Sequence, residues 1–203
     1  RYMIPDLPAA QYDIWVRGYG LVDSPKVNAA PGQSLDLNAV IAPDAAAAAA
    51  YYPAGYWYSL LEIPAKNEFP GTGPDGNGIS LNINNQADFI RRVTSGGCLA
   101  CHQLGNAAIR NLPNLFSGYD TSIEAWNRRV RSGQAGGSMT RSLASMGDQR
   151  TLEMYADWTD RIAAGELPPV PERPTGLERN MVITQWDWAD PTAYLHDLVS
   201  TDR

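Results

Sequence analysis

The chain holds two cysteines, and both fall in one five-residue run, Cys98-Leu99-Ala100-Cys101-His102. No other feature limits the fold as much. A disulfide framework is excluded, because both thiols belong to a single CxxC. Cohesion must come from an apolar core, or from whatever this run binds. With 44% apolar and 19% charged residues over 203 positions, the composition supports a core and argues against a disordered segment. The length points to one or two domains.

The spacing of the run has a chemical consequence. On a helical turn, positions i and i+3 share a face, and i+4 follows close beside them. Cys98 and Cys101 then offer both thiols to one side, with His102 next to them. Cys-x-x-Cys-His is the attachment signature of c-type haem: two thiols for the two vinyl groups of one porphyrin, and an imidazole for its iron. Zinc needs four ligands, whereas the whole chain has two Cys and two His, and the second imidazole, His196, lies far along the chain. A thioredoxin-type dithiol expects a βαβ setting, but Gly96-Gly97 and helical patterns flank this one.

Charge narrows the partners. The net charge is −6, with no basic stripe, which argues against nucleic acid. No apolar run approaches the ~18–20 residues that span a bilayer, so no transmembrane segment is expected. Between Gln86 and Gly165, nine Arg outweigh seven acids, whereas the rest of the chain is acidic. A solvated face accounts for this. The sharper expectation is that one or two of these Arg bind haem propionates, which suits the guanidinium fork.

The chain reads as α+β in four stretches. Residues 1–43 read as the end of a partial antiparallel β-sandwich. Gln11 to Tyr19 alternates, bounded by Pro8 and Gly18-Gly20, and Ser34 to Ile41 forms a second run after the Pro31-Gly32 turn. Residues 44–84 read as an aromatic- and Gly/Pro-rich connector, with Asp44 capping a short helix through the Ala run. Asp75-Gly76-Asn77-Gly78 has a calcium-loop flavour but lacks the twelve-residue oxygen pattern and the closing Glu.

Residues 85–167 read as helices. Asn84 or Asn85 caps one with Phe89, Ile90 and Val93 on a face. Thr121 to Glu124 is a capping box opening a second, with Ile123, Trp126 and Val130 inward and Gly133 as its stop. Asp148 starts a third, carrying Leu152, Tyr155, Ala156, Thr159 and Ile162 near the 3.6 period, and Gly165 ends it. Residues 168–203 read as a Pro-rich linker and then a short strand, Asn180 to Trp188, leading to a further domain or partner. Arg1-Tyr2-Met3-Ile4 reads as a strand in progress. The expectation is a piece of a longer secreted protein.

Two resemblances follow. Ile4 to Pro8, Tyr12 to Val16 and Gly18-Tyr19 resemble the end of a carboxypeptidase regulatory-like domain, a small transthyretin-like sandwich. From Asn85 to Gly165 the chain resembles a class I cytochrome c. Leu112-Pro113-Asn114-Leu115 with Gly118 resembles that family's "G-P-N-L-x-G" stretch. Val130, Gly133 and Met139 resemble its "I-x-x-G … M" run. The last helix, with Tyr155 and Trp158, resembles its C-terminal helix. The departures are Leu112 in place of Gly, Gly136-Gly137-Ser138 before the Met, and no Pro after it. The resemblance implies that Met139 is the axial thioether and that the Pro113 carbonyl accepts the Nδ1 hydrogen of His102, fixing the ring. Met139 also has an argument of its own, a Gly-rich, non-helical loop that lets backbone approach the ring edge. Met146, Met154 and His196 are the lesser candidates. For Trp126, Tyr155 and Trp158, packing outweighs electron relay.

The functional expectation is electron transfer through one covalent haem c with His/Met ligation. The partner would be a redox protein or adjacent domains of the same protein. The order of segments also resembles large secreted bacterial proteins in which a regulatory-like sandwich precedes a cytochrome c domain and a β-propeller. One alternative is a catalytic or gas-binding haem with a labile sixth site, for which Arg128, Arg129 or Arg141 would serve as the distal group. Another is a docking module stapled by haem. The cytochrome c resemblance implies that haem is attached outside the bacterial cytoplasm, so the expected location is the periplasm or the cell surface.

Overall fold

The computed structural model describes residues 6–95, 97–173 and 175–177. The expected strand at 180–188, His196, Met3, Met181 and both chain ends lie outside them. The fold is α+β: small two-stranded antiparallel sheets precede a helical region. Two compact units divide it, the described residues of 1–52 with 169–175 and those of 53–168 with 176–177.

In the first unit, β1 (Tyr12–Ile14) pairs with β3 (Val27–Ala29), placing Tyr12 opposite Ala29. The strand β2 (Leu21–Val22) pairs with β4 (Val40–Ile41). The alternating run from Gln11 thus forms a ladder over three residues only. Beyond it, Val16 is tied to Ser24, whose Oγ accepts the Val16 N–H at 2.9 Å. The chain then turns at Gly20, with φ +77°. The run from Ser34 pairs only at its end, because β2 offers it two residues. Arg17 forks onto Asp23 with two 2.7 Å bonds. The helix α1 (Ala45–Ala49) is capped as its sequence dictates, with Asp44 Oδ1 accepting from Ala47 N at 2.8 Å.

The second unit contains α2 (Ala54–Tyr58), α3 (Gln86–Thr94), α4 (Ala107–Arg110), α5 (Ser122–Val130), α6 (Gly136–Met146) and α7 (Asp148–Ala163). Side-chain oxygens open several of them. Asn85 accepts from Asp88 N at 2.9 Å, Asn106 from Ala108 N at 2.7 Å and Thr121 from Glu124 N at 3.2 Å. Each satisfies one orphan donor of a first turn. Phe89 and Val93 of α3 are fully buried, but Ile90 is 37% exposed and does not share their face.

Three residues anchor α7 to the rest of the unit. Trp158 is fully buried and donates its indole N–H to the Trp57 carbonyl at 3.0 Å. Trp126 of α5 stacks on Tyr155 with ring centroids 5.1 Å apart and donates to Thr159 Oγ1 at 3.1 Å. The joint from α6 to α7 is Gly147, at φ +107°, where a Cβ would lie 2.0 Å from the Gly78 carbonyl oxygen. Loop 70–83 is wedged there, with Ser80 N–H bonded to the Met146 carbonyl at 2.9 Å. Asn77 Oδ1 accepts from Thr72 N and Ile79 N inside that loop, at 2.9 and 3.1 Å. Its oxygen thus serves the loop's own backbone.

Candidate functional site

The Cys98–Ala100 segment is a tight 3-10 turn. The Cys98 carbonyl accepts the N–H of Cys101 at 3.2 Å and of His102 at 2.9 Å. One turn therefore carries both thiols and the imidazole. Gly97 precedes it where the Arg92 carbonyl oxygen passes 2.1 Å from the position of a Cβ, so any side chain there would push the turn away from α3.

Cys98, Cys101 and His102 line one wall of a cavity of about 690 Å³. That volume falls in the ~300–1,000 Å³ range of cofactor pockets. Helix α6 supplies the wall residues Ser138, Met139, Ser142 and Leu143, while α5 supplies Trp126, Arg128, Arg129 and Val130. Tyr155 of α7 also lines the cavity, as do Leu104 and Ile109 on the chain following His102. Phe116 and Tyr119 add to the lining with Leu115, which is 79% exposed, as does the chain from Ser132 to Ala135.

Met139 stands on the first turn of α6 rather than in the non-helical loop expected for it. The irregular stretch is shorter than the glycines suggested. Gly133, at φ +71°, breaks the chain after α5, and helical bonds resume at once, with Met139 N–H donating to the Ala135 carbonyl at 3.0 Å. Gly136 is required by contact, since a Cβ there would meet the Arg131 carbonyl oxygen at 2.8 Å. Among the described methionines only Met139 lines the cavity; Met146 and Met154 are buried in the core.

Pro113 precedes the 3-10 turn Asn114–Phe116, and its carbonyl accepts the Phe116 N–H at 2.8 Å. It does not line the cavity. Trp126 and Tyr155 do, whereas Trp158 is core. Sequence reasoning missed Leu104, Ile109, Phe116 and Leu143. Of these, Leu143 was accessible from helical spacing, because it lies four residues beyond Met139 on α6.

Burial dominates the local proton affinities. It pushes the Cys98 thiol up. It holds the Tyr155 phenol well above its ordinary range, reinforced by the neighbouring Cys98 and Tyr58. The Tyr155 hydroxyl is buried beside the Cys98 sulfur, the polar group it faces.

The donor set fits haem c: two thiols and an imidazole on one turn, and a thioether on the same cavity. Among the described residues no group of three or more His, Cys, Asp or Glu is arranged so that those side chains alone could hold a metal ion. Among them, too, no helix is long and apolar enough to cross a membrane. No family model, curated protein or solved structure matches this chain.

Proposed function

We propose that this chain carries one haem c, held through Cys98 and Cys101, with His102 and Met139 as its axial ligands, and that it transfers electrons. One observation carries the reading: the attachment turn and Met139, far apart in sequence, line the same cavity. Bound there, haem supplies an iron that exchanges one electron reversibly.

The protein's residues do the rest. The turn at 98–102 presets the imidazole beside the two tethering sulfurs. Met139 supplies a soft sulfur donor, suited to holding the sixth position against substrate. Trp126, Val130, Leu143 and Tyr155 exclude water and lower the local dielectric, which tunes the potential. Among the described residues His102 is the sole imidazole on the cavity. Arg129, a candidate distal group, is engaged by backbone carbonyls of Ala108, Ile109 and Asn111. Arg141 does not line the cavity. Arg128, the remaining candidate, does line the cavity, so it is Met139 on the same cavity that favours electron transfer over catalysis or gas binding. The partner in this proposal is a redox protein or an adjacent domain of a larger secreted protein, in the periplasm or at the cell surface.

The first test is the intact mass of the denatured chain, made in a host that attaches haem. It should exceed the bare polypeptide by one haem, and a bare mass would overturn the proposal. The second is carbon monoxide. The reduced chain should resist it and Met139→Ala should bind it fully; rapid binding by the parent chain would instead support a labile sixth site.

A further inference from the structure

Resting on that haem reading, we propose that Arg128, oriented by Ser132, is the clamp that binds a carboxylate of the cofactor at the rim of the cavity. A porphyrin of this type carries two propionates. A carboxylate drawn toward an apolar cavity is costly unless it is paired, and a guanidinium fork is the side chain best matched to it.

Two guanidinium groups line the cavity, from consecutive residues of α5. They are not equivalent. Arg129 donates to the Ile109 and Asn111 carbonyls at 2.9 and 3.0 Å and to the Ala108 carbonyl, and it lies over the Trp126 ring at 4.9 Å. Its fork is engaged in holding α4 and the following chain against α5.

Arg128 is exposed, and the hydrogen bond its guanidinium makes is to Ser132 Oγ at 3.0 Å. Ser132 also lines the cavity, and its own hydroxyl proton goes to the Arg128 carbonyl at 2.7 Å. That bond leaves the hydroxyl oxygen as an acceptor aimed at the guanidinium, one helical turn away. The recess on the other side of Arg128 is bordered by Asp120, Glu124 and Arg131. Neither carboxylate there is within ion-pair distance of Arg128 among the described residues. Elsewhere in the helical unit, Arg91, Arg150 and Arg161 pair with Asp88, Glu68 and Asp157. Arg110 donates to the Gly105 carbonyl. Among the described residues Arg128 is therefore the cavity-lining arginine with neither a carboxylate nor a carbonyl partner.

A cation in contact with a cofactor carboxylate disfavours the oxidised iron; removing it leaves an uncompensated anion that favours it. The test compares haem-bearing parent, Arg128→Gln, Arg128→Lys and Arg141→Gln chains by spectroelectrochemical midpoint potential, each first weighed for haem. Arg141 donates to Ser138 and stands off the cavity, so it controls for loss of one surface charge. The expected result is a lowered potential in Arg128→Gln, a smaller fall in Arg128→Lys, and no change in Arg141→Gln. A potential in Arg128→Gln equal to the parent's would overturn the clamp and leave the haem reading intact. So would an equal fall in Arg141→Gln, which would reveal a general field effect. A parent chain of bare mass would overturn both.

Discussion

Tyr155 carries a polar atom in an awkward place: a hydroxyl on a residue 2% exposed, against the cavity, with the weakly polar Cys98 sulfur beside it. Its phenol is held well above the ordinary range, first by burial. A raised folded-state value means that the folded chain keeps this proton after the unfolded chain has lost it. The stability tied to it is complete below the unfolded value of ~10 and drains as pH rises past that point, at about 1.4 kcal/mol per pH unit. Tyr155→Phe removes the group. Urea unfolding of both chains at pH 8 and pH 11 should show the parent losing about 1 kcal/mol more than the variant over that interval. Tyr58, raised by its own burial, is present in both chains and cancels. Parallel losses would mean that the phenolate is tolerated in place.

At the level of elements, legibility followed local chemistry. Asp44, Asn85 and Thr121 announced α1, α3 and α5 because a capping side chain acts within three residues of itself. The start of α7 at Asp148 was readable from its apolar period and its stop from Gly165, although no side chain caps its first turn. Helix α2 has no side-chain cap to mark it, and α4, of four residues, is too short to show a period although Asn106 caps it. Helix α6 was hidden by Gly136-Gly137-Ser138, whose propensities disfavour the helix that contacts impose. The site divides the same way. The turn from Cys98 to His102 is local, and its motif marked it. The Phe116 and Ile109 walls arise from chain returning to the cavity, which no periodicity encodes. One such approach is severe: a Cβ on Gly105 would lie 1.6 Å from the Ala54 carbonyl oxygen, at the first residue of α2. Gly105→Ala should therefore cost about 3 kcal/mol or more, the upper end for overpacking. Gly118 has nothing within 4 Å of its would-be Cβ, and Gly118→Ala should stay within ~0.5 kcal/mol. Urea midpoints compare the two directly, and similar values would mean that α2 does not rest on Gly105.

The helical unit as a whole has an energetic problem that its cavity sets. The cavity is open at its rim, where Leu115 is exposed, so without a guest water wets the apolar walls that α5, α6 and α7 present to it, and that area contributes nothing to the core. On the proposed haem reading, a tethered porphyrin would fill the space and be held by both His102 and Met139 only in the folded chain, so it would stabilise the folded state. Bare chain, made without haem attachment, should then keep its helical far-ultraviolet signal while losing near-ultraviolet signal from Trp126 and Tyr155. Its thermal midpoint should lie at least ~10 °C below that of the haem-bearing chain, which corresponds to about 2 kcal/mol. Equal midpoints would mean that the second unit is complete without a cofactor, and that the cavity is a feature of its packing and not a place built to be filled.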